Sequence, residues 1–298
     1  MHFKNIKSRP WRDFFYFYIP TFLIDQLKTP SFLGIIFLLI FDLCSSQIVN
    51  TERLRMYIGE RQFAINSGLR FSYNNNDGNY VYQIGASVGS LFKLKDKKGG
   101  YNNKFFLNGN YNLIRSEDQD FNNNWFIHIR YNKELTEIFR IEAFVQSQEN
   151  QLLSISSRNL AGTGIRLKVL EAMKKRSLHT YIGLAYMYER EKSENFNVDF
   201  KNHRMSSYLA ATLDFGEDKP KIINTLYYQP LFEDFDNFRL SEEFSAEFPF
   251  SETFSFSVIF NYFLNNQTPA GDAEYTSSLV FGFNYNFKSK LDKPDLRF

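Results

Sequence analysis

Residues 275–287 read Tyr-Thr-Ser-Ser-Leu-Val-Phe-Gly-Phe-Asn-Tyr-Asn-Phe. In an extended chain Ser277, Leu279, Phe281, Phe283, Tyr285 and Phe287 share one face, and Thr276, Ser278, Val280, Gly282, Asn284 and Asn286 the other. The period is two rather than 3.6, which makes this a strand with one aromatic face and one small polar face. A transmembrane barrel turns such a face toward lipid and the small polar face toward its lumen. A soluble sandwich or lipocalin-like barrel would reverse the two.

The same alternation runs back through the chain. Phe254, Phe256, Val258, Phe260 and Tyr262 oppose Thr253, Ser255, Ser257 and Asn261. Trp125, Ile127, Ile129 and Tyr131 oppose Phe126, His128, Arg130 and Asn132, while Phe63, Ile65, Leu69 and Phe71 oppose Asn66, Gly68, Arg70 and Ser72. Clusters of Asn, Asp, Gly, Lys or Ser separate these runs. The breaks predict strands near 61–73, 80–93, 102–114, 123–133, 137–148, 158–170, 177–190, 203–215, 220–230, 236–249, 252–264 and 275–287. Twelve is an even number, as a single-chain bacterial barrel with both termini in the periplasm requires. Short links at 134–136, 171–176, 216–219 and 250–251 alternate with long polar ones at 115–122, 149–157, 191–202 and 265–274. Only the link at 94–101 is long for the periplasmic side. The least regular strand is 220–230, where Ile222, Ile223, Tyr227 and Tyr228 blur the alternation and Pro230 ends it.

Composition agrees. Aromatic residues make up 18% of 298 residues, nearly all of them Phe and Tyr, yet the mean hydropathy is −0.38. Helical membrane proteins have continuously apolar spans; here the rings are spaced among polar residues. The N-terminus is different. Lys4, Lys7, Arg9 and Arg12 precede an aromatic run from Phe14 to Ile24, a polar break at Asp25, Gln26 and Lys28, and an apolar stretch, Phe32–Phe41. Neither run reaches the roughly 18 residues of a spanning helix. The second has the length of a signal-peptide core, and Cys44-Ser45-Ser46 follows at the cleavage positions, which places cleavage between Ser46 and Gln47. The distance from Met1 to the core is unusual for such a signal, and a true start nearer Lys28 would explain it. The rival reading is a membrane anchor interrupted by Asp25. The expected organisation is a signal segment at 1–46, a barrel at 47–287 and a periplasmic tail at 288–298. Leu43 before Cys44 argues against lipidation. Because Cys44 is the only cysteine, the mature chain would hold neither disulfides nor cysteine metal sites. The leader carries five Lys/Arg and three Asp/Glu of the totals of 35 and 33, leaving 30 of each and a net charge of zero. Nucleic-acid binding calls for a basic excess and is not expected.

The inward face is charged. Arg130, Arg140, Glu142, Arg166 and Lys168 are expected at one height in the periplasmic half, with Arg130 opposite Arg140 or Glu142 and Arg166 level with Glu142. Glu189 and Glu191 fall nearer the outer rim, and Arg239, Glu243 and Glu247 line the tenth strand. Two readings compete. In one, arginines and glutamates pair across strands and fill a narrow lumen, since an unpaired charge in a confined interior is costly. In the other, a mostly basic ring selects an anionic solute. The first is favoured, because a barrel of this size lies between the filled eight-stranded type and the open porins.

Signals for catalysis are poor. Of His2, His128, His179 and His203, none has metal-ligand spacing with another histidine or cysteine. Gly85-Ala-Ser-Val-Gly89 lies within the strand expected at 80–93 and so forms no strand-to-helix nucleophile elbow; phosphate-loop and zincin motifs are missing, and no serine is expected in register with a histidine. The run Asn74-Asn75-Asn76-Asp77-Gly78 reads as a loop tip, and the pair Glu242/Glu243 as ordinary strand and rim residues. No catalytic residue, metal or cofactor is expected.

Ile127-His-Ile-Arg-Tyr-Asn-Lys-Glu-Leu-Thr136, Phe139-Arg-Ile-Glu-Ala-Phe-Val-Gln-Ser-Gln148, Leu160-Ala-Gly-Thr-Gly-Ile-Arg-Leu167 and Tyr181-Ile-Gly-Leu-Ala-Tyr-Met-Tyr-Glu-Arg190 form a further pattern. This stretch resembles the uncharacterised outer-membrane barrel family that includes the salt-induced outer-membrane protein of enteric bacteria. The likeness is best over 120–191 and implies an outer-membrane location without an activity. Members usually carry a short leader, from which this chain departs. The chain thus reads as all-β, a monomeric antiparallel up-and-down barrel in the bacterial outer membrane. Its expected partners are outer-membrane lipid and, during insertion, the barrel-assembly machinery. A structural or stress-related role with a charge-plugged lumen comes first. A specific channel for a small anionic solute comes second, and a lipid-acting enzyme third.

Overall fold

The computed structural model describes residues 51–52, 54–55, 61–76, 79–96, 100–116, 122–151, 155–173, 177–193, 199–216, 219–267 and 275–289. The signal segment, its cleavage site and most of the C-terminal tail lie outside these residues. Twelve strands occur among them: β1 (Phe63–Asn76), β2 (Asn79–Leu94), β3 (Asn103–Ser116), β4 (Asn122–Glu134), β5 (Phe139–Asn150), β6 (Ile155–Met173), β7 (Ser177–Ser193), β8 (Asp199–Asp214), β9 (Lys221–Pro230), β10 (Phe238–Pro249), β11 (Phe254–Asn265) and β12 (Tyr275–Lys288). Each strand neighbours the next, and β1 closes on β12 through a register running from Ala64↔Lys288 to Phe71↔Phe281. Closure removes the sheet edges, which is the condition for strands to cross hydrocarbon.

The two faces of β12 settle its polarity. Leu279, Phe281, Phe283, Tyr285 and Phe287 are exposed on the outside, while Val280, Asn284 and Asn286 are buried within. The same holds for Ile127 and Ile129 against His128, Arg130 and Asn132. A soluble barrel would bury the aromatic face instead. An exposed apolar wall around a polar interior has lipid as its solvent, so this is a protein of the bacterial outer membrane.

Several strands outrun their sequence-based ends on the outer side. Asn74, Asn75 and Asn76 do not form a loop tip. They stay in the ladder opposite Val81, Tyr80 and Asn79. At the other hairpins β6, β7 and β8 extend to Ile155, Ser193 and Asp199. The ends of the expected loop at 191–202 thus pair, with Glu191↔Phe200 and Lys192↔Asp199. At the periplasmic end the β4–β5 link is 135–138, because Glu134 remains paired with Arg140. That moves the register from the expected one. Arg130 stands opposite Phe144, Asn132 opposite Glu142, and Arg166 opposite Arg140 rather than level with Glu142.

Candidate functional site: two charge networks in the lumen

The inner network is built on β4, β5, β6 and β8. Arg130, Glu142 and Arg166 are all buried. Glu142 receives the Tyr208 hydroxyl at 2.9 Å, the amide of Asn132 and the guanidinium of Arg130 at 3.7 Å. Arg130 lies over the Phe144 ring at 5.5 Å, and its Nε donates to Nε2 of His128 at 3.3 Å. His128, inward as expected, contacts Gln146 at 2.9 Å. Arg166 stacks on Tyr181, 3.8 Å from the ring centre.

What completes the network is a segment that sequence reasoning did not place there. Glu52 accepts both terminal nitrogens of Arg166, at 2.6 and 2.8 Å. Arg55 reaches Glu52 at 3.2 Å and Glu142 at 3.4 Å, and covers the ring of Phe106 at 4.3 Å. Leu54 packs with Ala64, Leu91 and Phe106 on the β1–β3 side. Glu52 and Leu54 therefore link β6 to the β1–β3 wall. Burial by itself would push the Glu52 carboxyl up. Arg166 and Arg55 outweigh it and hold the group at about 2. The signal in the sequence was thin: Thr51-Glu52-Arg53-Leu54-Arg55, a mostly polar run outside every expected strand.

Arg140 finds its ion-pair partner elsewhere. Arg140 bonds Glu134 at 2.6 Å, and Glu134 also takes Lys104 at 2.7 Å, a trio at the periplasmic rim. Lys168 is half-buried opposite Tyr181, at the bulge that interrupts the β6–β7 register. Arg140 misses because it sits nearer the rim than the expected register gave.

An apolar belt of Phe144, Leu160, Met187, Tyr208, Ala210 and Tyr227 packs inside the barrel and shares Tyr208 with the inner network. Glycines make room for it. A methyl group on Gly183 would overlap the Tyr208 ring, and one on Gly162 the Phe144 ring. These are glycines of the motif that carried the family resemblance.

The outer network stands beyond the belt. Glu189, fully buried, takes both bonds from Nη1 of Arg239 at 2.7 Å and pairs with Arg158 through Nε at 2.6 Å. Arg204 reaches it at 3.4 Å, and Asn202 donates at 3.2 Å. Glu191 accepts the other arm of Arg239 at 3.0 Å and Arg158 at 3.4 Å. Arg204 spends its remaining nitrogens on the Gln229 carbonyl at 3.0 Å and on Asn237 at 3.3 Å. Glu189, Glu191 and Arg239 had been read as inward; Arg158 and Arg204 were missed, although each lies two residues from an inward neighbour. Removing one partner from such a buried set costs about 3–5 kcal/mol, because a charge is left without compensation.

Among the described residues no group of three His, Asp, Glu or Cys side chains could hold a metal ion. One expectation on catalysis needs correcting. Ser177 Oγ lies 2.6 Å from His179 Nε2, two positions apart on one strand face. A nucleophilic site needs in addition a group orienting the ring and donors for an oxyanion.

Comparison with curated proteins finds no match. Among solved structures, the chain is similar to the COG4313 outer membrane channel from Pseudomonas putida F1, at 6% identity and a TM-score of 0.48, covering 82% of this chain and 100% of that one. It is also similar to the NanC porin, at 9% identity and 0.42, covering 76% and 100%. A third likeness is to LpxR from Salmonella typhimurium, at 9% and 0.42, covering 76% and 99%. The profile of a family described as "Protein of unknown function, DUF481" matches residues 69–287. That span runs from β1 to β12 and takes in both networks except Glu52 and Arg55. With most of its length and all but the start of its barrel inside the match, the chain belongs to the DUF481 family.

Proposed function

We propose that this outer-membrane barrel is a structural or stress-related protein whose lumen is plugged by its own side chains, and that within its family it stands with the salt-induced outer-membrane protein. The observation that carries the reading is the burial of Arg130, Arg158, Arg166, His128 and Glu189 on the inward face. Side chains lining an open aqueous pore would be wetted. These are covered by one another, by the belt and by the segment carrying Glu52. The barrel acts as a monomer in outer-membrane lipid, is inserted by the barrel-assembly machinery, and performs no catalytic step. The test is planar-bilayer recording of the refolded protein. A silent bilayer is expected, and steady single-channel openings would sink the plugged reading.

One observation favours a second reading, a channel for a small anionic solute. The inner network sets Arg55, Arg130 and Arg166 against Glu52 and Glu142, and the outer one Arg158, Arg204 and Arg239 against Glu189 and Glu191. Each carries one positive charge in excess. Sustained openings with anion preference would support this reading.

A further inference from the structure

The row of side chains that faces lipid along β7 changes character at its outer end. Ile182, Leu184 and Tyr186 are exposed on the outside of the wall, and every second residue continues their face. Tyr188 follows, then Arg190 and Lys192. On β8 the matching row runs from Met205 through His203 to Lys201 and Asp199, paired in turn with Tyr186, Tyr188, Arg190 and Lys192. The aromatic step is packed. The Tyr186 hydroxyl lies 2.6 Å from His203 Nδ1, the Tyr188 and His203 ring centres are 5.3 Å apart, and those of Tyr186 and Phe232 are 5.9 Å apart. Rings of this kind gather where membrane meets water. The cations next above them therefore stand at the height of lipid headgroups, on the face that meets lipid and not in the lumen.

Charge there is unbalanced. Arg190, Lys192, Lys201 and Asp199 are all exposed. Three cations against one carboxylate leave an excess of two positive charges among these four side chains. Arg190 and Lys201 also stand directly opposite each other in the ladder, and like charges so placed cost energy unless an anion joins them. Asp199 engages Nε and Nη2 of Arg190, and Nη1 still carries donors for a phosphate oxygen. On β6 the partner of Arg190 is Asn159, exposed and with an amide to donate. On the other side the Phe232 N–H joins the His203 carbonyl at 2.9 Å, and the turn that follows exposes Glu233, Asp234 and Asp236. Its negative charge directs an anion away from β9 and toward β6.

We propose that the outer end of β6, β7 and β8 is a binding site for a phosphate-bearing lipid of the outer leaflet. Arg190, Lys192 and Lys201 hold the phosphate, with Asn159 beside them. The acyl chain runs down the wall over Tyr188 and its small partner Ala161. A phosphate at this height gains charge-assisted hydrogen bonds in a setting drier than bulk water, and the chain below it gains contact that a soluble anion cannot. The proposal does not depend on the plugged-lumen reading, since the site lies on the outside of the wall.

The experiment uses the full chain, refolded in phosphatidylcholine vesicles that contain a small share of phosphatidic acid with a photoreactive diazirine on its acyl chain. Cross-linked peptides are mapped by mass spectrometry. Labelling is expected to concentrate in 159–165 and 182–190. In Lys192→Gln with Lys201→Gln it should fall about thirtyfold, about fivefold for each lysine near an anionic head. Lys192→Arg with Lys201→Arg should keep it. Phosphatidylcholine bearing the same diazirine should label the wall evenly in all three proteins, which also reports that the variants are folded. Excess inorganic phosphate should compete only weakly. Even labelling by phosphatidic acid, equal labelling in the Gln variant, or complete displacement by inorganic phosphate would overturn the site.

Discussion

Glu52 shows how one residue outside the barrel wall organises the inside. Its two oxygens are matched to the planar fork of Arg166, a geometry lysine could not supply. Because its carboxyl is held at about 2, below the ordinary 4.5, the docking it provides is fully present above about pH 4.5 and is lost as pH falls toward 2. Proteolysis or spin-label mobility at the segment should therefore be constant from neutral pH to about 5 and rise only in strong acid. In Glu52→Gln the same mobility should already be high at pH 7. Gly183 works in the opposite way, by lacking a side chain. Its bare Cα lets the Tyr208 ring lie against β7 and bring its hydroxyl to Glu142. Gly183→Val should displace that ring and cost about 1–3 kcal/mol in urea unfolding from vesicles, as overpacking does.

At the scale of the strand, the alternation decides everything that follows. In β12 a shift of one residue would carry Phe281, Phe283 and Tyr285 into the lumen and Asn284 and Asn286 into lipid. Phe283, 64% exposed, faces the bilayer. Phe283→Arg should cost about 2–4 kcal/mol if it lies near the midplane, read as a lower urea midpoint, whereas the adjacent inward Asn284→Ser should change little. The long β6, β7 and β8 show where pattern reading stops short. Glu191 and Lys192 fall in the expected loop, yet they pair with Phe200 and Asp199, and Arg190 bonds Asp199 at 2.9 Å. Backbone pairing carries on into water, where charged side chains are no penalty on either face.

For the molecule as a whole, the proposed plug has three parts: the inner network with Glu52, the belt around Met187 and the outer network around Glu189. Truncating one layer leaves the other two. Glu52→Ala with Arg166→Ala should therefore remain silent in a planar bilayer. Conductance should appear only when Met187→Ala and Glu189→Ala with Arg158→Ala are added. Openings from the first pair alone would mean that the belt and the outer network do not seal.

Alternation, turn residues and aromatic content by themselves determined the class, the strand number and the face that meets lipid. These are local consequences of a two-residue period, and they survive errors of a few residues at any end. Which inward charges touch could not be read that way. Sliding a hairpin link from 134–136 to 135–138 sends Arg140 to Glu134 and leaves Arg130 beside Phe144, and the partner of Arg166 comes from more than a hundred residues away. Barrel closure brings Arg158, Arg204 and Arg239 of three strands onto one glutamate. Contact across a lumen depends on register summed around the whole sheet, and only the tertiary structure fixes that sum.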